Sequence, residues 1–187
     1  MTLSHAIFPS RSLPIKALMA LAGSIFIAIA AQISVPMVPV PMTLQTLAIL
    51  IVGLTFGSRL GAATLALYLA EGAVGLPVFA NGAGTLAYMM GPTGGFLIGF
   101  VAMAWLAGLA VEKGLARGFV STSIVGIVVS ALLYIPGLAW PAAFMGKSFD
   151  VLWLHWMSPF LAGDGVKAVI AALVVTGGWA VMKARRG

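Results

Sequence analysis

The chain has no cysteine, two histidines (His5 and His155) and four acidic residues (Glu71, Glu112, Asp150 and Asp164) among its 187 residues. Without cysteine there are no disulfides and no thiol chemistry. No His/Cys/Asp/Glu cluster stands at metal-ligand spacing, so a metal centre is not expected. Gly-x-Ser-x-Gly is missing, and with so few histidines a hydrolase triad is implausible. Gly-x-x-x-x-Gly-Lys-[Ser/Thr] is missing too, so the chain does not hydrolyse ATP by that device. The acids are too few for a proton relay along several helices. The expectation is a protein that is no enzyme and binds a small solute without a cofactor of its own.

Charge of either sign is scarce. Only 7% of the residues are charged and 61% are hydrophobic, against about 25% charged in ordinary soluble domains. That is the composition of an integral membrane protein. Residues 1–187 are expected to form one membrane domain, because about 20 residues per span leave no room for a soluble one. The net charge of +6 is an orientation signal in short loops and at the termini, not a nucleic-acid footprint.

Hydropathy and breakers predict an all-α bundle of six transmembrane helices, near 17–34, 43–56, 60–70, 94–111, 119–138 and 163–182. The first run is long enough to span and is read as a retained helix, not a cleaved leader. Its small residues Ala20, Ser24 and Ala28, spaced by four, suit close helix approach or internal packing. Pro36, Pro39 and Pro41 force an extended, apolar loop before the second span. The turn Gly57-Ser58-Arg59 separates span two from span three, and span three ends at Glu71. From Gly72 to Gly95 seven glycines and two prolines argue against regular helix, yet nothing there is charged. Uncharged irregular backbone near a membrane lines a cavity or packs on protein. Loop 72–93 is therefore expected to be a lid or pocket wall, with Asn81 and Tyr88 as its polar side chains. Pro136 and Pro141 mark the end of span five, and residues 147–160, with Trp153, His155 and Trp156, read as a surface-lying segment or helix end.

Basic residues set the orientation. Arg11, Lys16, Arg59, Lys113, Arg117, Lys183, Arg185 and Arg186 fall on one side and Lys147 on the other. Over six spans this predicts both termini in the cytoplasm. It puts the proline loop, the glycine-rich loop, Gln45 and the start of the last span on the outer side.

There, Asp164 and Lys167 open a run without charge from 168 to 182. In a helix, residues three apart share a face, and ionisable groups at membrane depth usually meet a partner, a cavity or a substrate. The alternatives are that Asp164 caps the helix and Lys167 snorkels to the interface.

Four motifs in order, Val40-Pro41-Met42-Thr43-Leu44-Gln45, Gly72-x-x-Gly75-x-Pro77-Val78-Phe79, Gly91-Pro92-Thr93-Gly94-Gly95 and Gly163-Asp164-x-x-Lys167, resemble BioY, the biotin-specific S subunit family of energy-coupling-factor (ECF) transporters. Together they cover nearly the whole chain. The resemblance implies a six-helix bundle with a vitamin pocket at its outer face, in the bacterial cytoplasmic membrane. It implies high-affinity capture and uptake of biotin, with a transmembrane coupling subunit and two cytoplasmic ATPase subunits as partners that hydrolyse the ATP. Asp164, Lys167, Asn81, Tyr88 and Gln45 would bind biotin, with Val78 and Phe79 as apolar wall. Such subunits dock on a small-residue stripe of the first helix, here Ala20, Ser24 and Ala28, with serine where the family pattern has alanine. The competing readings are a membrane scaffold or assembly protein, and a subunit of the same kind for thiamin or riboflavin.

Overall fold

The computed structural model describes Leu3 and residues 12–184. His5, Arg11, Arg185 and Arg186 lie outside the described residues. Six long helices make the bundle: α1 (Leu13–Gln32), α2 (Gln45–Phe56), α3 (Ser58–Ala73), α5 (Gly94–Glu112), α6 (Phe119–Met145) and α8 (Ser158–Ala184). Two single-turn helices, α4 (Leu86–Met89) and α7 (Phe149–Leu152), lie in the connections. A two-residue antiparallel pair, β1 (Ser34–Val35) with β2 (Met42–Thr43), closes the proline loop into a hairpin.

Four helical stretches are long and apolar enough to cross a membrane: Leu13–Gln32, Gly94–Glu112, Phe119–Met145 and the continuous run Phe149–Ala184. The apolar helix Gln45–Phe56 is shorter, and so is α3. Outward faces carry large apolar side chains, such as Leu18, Ile25 and Ile29 on α1, Ile124, Ile127 and Ile135 on α6, and Val166 and Leu173 on α8. Apolar surface on both faces of a helix belongs in lipid, not water. The core holds Ile27, Ile49, Leu65, Phe100, Met103 and Ala171.

The hairpin expected at Gly57 is present. Gly57 takes φ +88, a conformation that costs glycine little, and separates α2 from α3. Ser58 then anchors the start of α3 to the end of α5, its amide and hydroxyl donating to the two Glu112 carboxylate oxygens at 2.8 and 2.7 Å. Gly126 of α6 faces Ala168 of α8 while Tyr134 bonds Asp164, so these helices run antiparallel. Lys16, Arg59, Lys113, Arg117 and Lys183 therefore share one end of the bundle, and the proline hairpin, loop 74–93 and Lys147 share the other.

The structure corrects four expectations. Glu71 lies inside α3, not at its end, because the helix continues to Ala73. Pro136 and Pro141 lie inside α6; each removes one amide donor, a loss that membrane helices packed among neighbours tolerate. The Pro136 carbonyl sits against Gly95 of α5, where a Cβ would approach it to 2.2 Å. α6 ends instead at Gly146, φ +62, with the Pro141 carbonyl accepting from Lys147. Residues 149–157 are helical and run through a wide turn at Trp153–Met157 into α8, with Trp156 buried against Tyr134, Val40 and Phe160. Finally, the glycine-rich segment does contain short helical turns, at Ala80–Gly82 and at Leu86–Met89, where the Tyr88 amide donates to the Thr85 hydroxyl at 3.2 Å.

Candidate functional site

α8 begins at Ser158, so Asp164 stands well inside it and does not cap it. Lys167 does not snorkel either. Both residues are buried, with 8% and 7% of their surface exposed, and they pair at 3.1 Å. α2 supplies Thr46, whose hydroxyl accepts from Lys167 Nζ at 3.1 Å and donates to Asp164 Oδ1 at 3.4 Å. α6 supplies Tyr134, whose hydroxyl donates to Asp164 Oδ2 at 2.6 Å. Two charges away from water are tolerable only when paired and hydrogen-bonded in this way.

The pair faces a cavity at this end of the bundle. Its walls come from the β2–α2 segment (Met42, Gln45, Thr46), loop 79–93, the first half of α5 (Phe96, Leu97, Phe100), Leu133 and Tyr134 of α6, and Phe160 of α8. The lining is mostly apolar, and the polar groups are concentrated around Asp164 and Lys167.

Gln45 is buried in this wall, and its Nε2 donates to the Tyr68 hydroxyl at 2.5 Å. Tyr68 in turn donates to the Val78 carbonyl at 2.8 Å. Phe79 is wholly buried, meets Tyr68 edge-on with ring centroids 5.5 Å apart, and stacks on Tyr88 at 5.6 Å. Phe79 and Tyr88 line the cavity, whereas Val78 contributes its carbonyl to Tyr68. Only glycine fits behind Phe79: a Cβ on Gly72 would lie 2.0 Å from the ring.

Asn81 is not brought to this cavity. It is exposed, with φ +58, and its Oδ1 accepts from the Ser34 hydroxyl at 2.9 Å. Gln32, at the end of α1, completes the tie: its Nε2 donates to the Phe79 carbonyl at 3.0 Å and its Oε1 accepts from the Gly82 amide at 2.8 Å. Asn81 therefore fastens the loop to the proline hairpin. The small-residue stripe is also placed differently from its expected docking role. Ala20 and Ser24 are buried and Ala28 is half-buried against the core, and Ser24 donates to the Glu71 carboxylate. The stripe is turned inward because its small side chains let α3 approach, which leaves Leu18, Leu21, Ile25 and Ile29 on the outer face.

Sequence reasoning missed Thr46 and Tyr134, and the second-layer Tyr68 and Gln32. One signal was available: the chain has three tyrosines, and all three, Tyr68, Tyr88 and Tyr134, gather at this end, where a phenol can be apolar on its ring and polar at its tip.

Fold and cavity define a class, a multi-pass helical membrane protein with a mostly apolar cavity around a buried ion pair at one end of its bundle. The sequence profile of the BioY family matches residues 5–184, and the chain belongs to that family. It is 38% identical over 146 residues to a probable biotin transporter BioY of Pyrococcus horikoshii, covering 78% of this chain and 85% of that one. It is 39% identical over 156 residues to the biotin transporter BioY of Rhodobacter capsulatus, covering 75% and 81%. The fold matches a solved S-component for biotin from an ECF-type ABC transporter with a TM-score of 0.77 and 22% identity, over 95% of this chain and 96% of that one.

Proposed function

We propose that this chain captures biotin in the Asp164–Lys167 cavity and serves its uptake as the substrate-specific subunit of an ECF-type transporter. It is a transport protein and not an enzyme. The observation that carries the reading is the unused bonding capacity of the buried pair. A carboxylate has about four acceptor sites and an ammonium three donors. Asp164 already accepts from Lys167, Thr46 and Tyr134, and Lys167 already donates to Asp164 and Thr46. Among the described residues, one acceptor, on Asp164 Oδ2, and one donor, on Lys167 Nζ, remain. The edge of a ureido ring presents an N–H beside a C=O, which matches that remainder. The apolar lining from Phe79, Phe96 and Phe100 suits the thioether ring and the aliphatic tail.

In this reading all six long helices cross the bacterial cytoplasmic membrane, both termini are cytoplasmic, and the cavity opens outward. The concentration of Lys16, Arg59, Lys113, Arg117 and Lys183 at the opposite end supports that orientation. The partners are a transmembrane coupling subunit and two ATPase subunits that hydrolyse the ATP, and the chain itself holds no cofactor. Uptake of labelled biotin by bacterial cells that depend on this chain tests the function. Uptake should be abolished by excess unlabelled biotin and untouched by thiamin or riboflavin. Competition by either of those vitamins would reassign the substrate, and a lack of any uptake or binding would favour a scaffold role.

A further inference from the structure

The chain has two glutamines, Gln32 and Gln45, and both are tied to the same loop. Gln32 reaches it directly, through the Phe79 carbonyl and the Gly82 amide. Gln45 reaches it through Tyr68 of α3, which is wholly buried. Thr43 and Gln45 line the cavity, whereas Tyr68 and Val78 do not.

The bonds along this relay have a direction. The Val78 carbonyl can only accept, so the Tyr68 hydroxyl must donate to it, at 2.8 Å. A phenol has one proton, and it is spent there. The 2.5 Å contact between the Tyr68 oxygen and the Gln45 side chain is therefore a bond that Tyr68 accepts. Only the amide nitrogen of Gln45 can supply it. The two ends of an amide are alike in shape, so hydrogen bonding alone decides which way it lies. Turned over, Gln45 would set its oxygen against a phenol oxygen with no proton left to give. Oε1 is thereby placed on the other side, where it accepts from the Thr43 hydroxyl at 3.1 Å. Thr43 fits either orientation, since a hydroxyl can donate or accept. The choice is made by Tyr68. Among the described residues, the Gln45 side chain keeps one amide hydrogen and one oxygen lone pair uncommitted. A flip would exchange their places.

We propose that Tyr68 is a positioning residue for ligand binding: its bond to the Val78 carbonyl fixes which way the Gln45 amide lies at the cavity wall. Tyr68 itself touches no ligand. The proposal rests on the reading of the cavity as a biotin site. An amide that is already oriented needs no ordering when the ligand arrives. The acceptor that sets the direction belongs to the loop, so Gln45 is oriented only while the loop is docked.

The test uses the purified full chain with Tyr68→Phe, which keeps the ring against Phe79 and removes the hydroxyl, and Gln45→Met, which keeps the length and removes the amide. Tyr68→Phe should bind labelled biotin about tenfold more weakly, because buried partners are left unpaired. Gln45→Met should lose at least as much. The double variant should bind as Gln45→Met does, because Tyr68 acts through Gln45. A residue that only supported the fold would lower affinity in both backgrounds alike. A second readout needs neither ligand nor a change at Tyr68. In the ligand-free wild type with isotope-labelled glutamine, the Gln45 side-chain amide protons should show nuclear Overhauser contacts to the Tyr68 ring. Gln45→Met and Gln32→Ala tell the two glutamine signals apart. If Tyr68→Phe does not fold, this amide contact decides the proposal. Unchanged biotin affinity in folded Tyr68→Phe, losses that multiply in the double variant, or wild-type Gln45 amide protons lying against Thr43 would each overturn it. If the wild type itself fails to bind biotin, the functional reading falls and this proposal with it; a wild type that binds, beside an unaffected Tyr68→Phe, removes this proposal alone.

Discussion

At the scale of single residues, the chain concentrates its scarce charge where it is most expensive. Lys167 is buried, and its bonds to Asp164 and Thr46 leave it one donor for a ligand. Lys167→Ala should therefore weaken biotin binding by roughly 2–5 kcal/mol, the cost of removing one partner of a buried charge-assisted set, while the protein still purifies folded. A folded variant with unchanged affinity would remove Lys167 from the site. The pair itself was legible in the sequence because an Asp and a Lys three apart, beside a long uncharged run, are costly in lipid unless they meet each other or a ligand. Thr46 and Tyr134 were not legible, because they reach the pair from α2 and α6, and only the tertiary fold sets which helices are neighbours. Asn81 was misplaced for a related reason: a polar side chain in a glycine-rich loop can serve the ligand or the loop, and composition does not separate the two.

At the scale of elements, loop 78–82 is held from two sides. Tyr68 fastens the Val78 carbonyl, and Gln32 fastens the Phe79 carbonyl and the Gly82 amide. The loop is thereby a wall, and its departure would open the cavity. Replacing Gln32 by alanine should loosen it. A cysteine placed at Ala83, in a chain that has no other cysteine, should then react faster with a thiol probe, and bound biotin should dissociate faster. Unchanged reactivity and dissociation would show that Tyr68 and Asn81 hold the loop without Gln32. The α1–α3 contact makes a second point. Ser24 is fully buried and donates to Glu71, so Ser24→Ala strands a carboxylate oxygen and should cost about 1–3 kcal/mol of stability, read as a fall in melting temperature with biotin affinity retained. A melting temperature equal to wild type would contradict that role. Helix positions were well legible from hydropathy, but helix ends were not. Pro136 and Pro141 looked like terminators because a proline removes an amide donor and crowds the preceding turn, yet α6 runs through both. Residues 149–157 looked interfacial from their tryptophans, yet Trp156 is buried in a small core of its own with Tyr134 and Phe160.

At the scale of the whole molecule, polarity is divided between the two ends. One end collects Lys16, Arg59, Lys113, Arg117 and Lys183, and the other collects the tyrosines, the proline hairpin, the loop and the buried pair. That division is readable from the basic residues and the glycine-rich segment, because orientation signals and helix breakers are local properties of a sequence. The docking face was not readable, since a stripe of small residues serves an internal helix contact as well as an external one, and α1 uses Ala20 and Ser24 internally. The proposed transport role depends on the cavity around Asp164 and Lys167 being a biotin site. Equilibrium binding of labelled biotin to the purified full-length chain tests this with the fewest assumptions. Saturable binding of one biotin per chain is predicted, displaced by unlabelled biotin and not by thiamin or riboflavin. An absence of saturable biotin binding by the folded chain would contradict it.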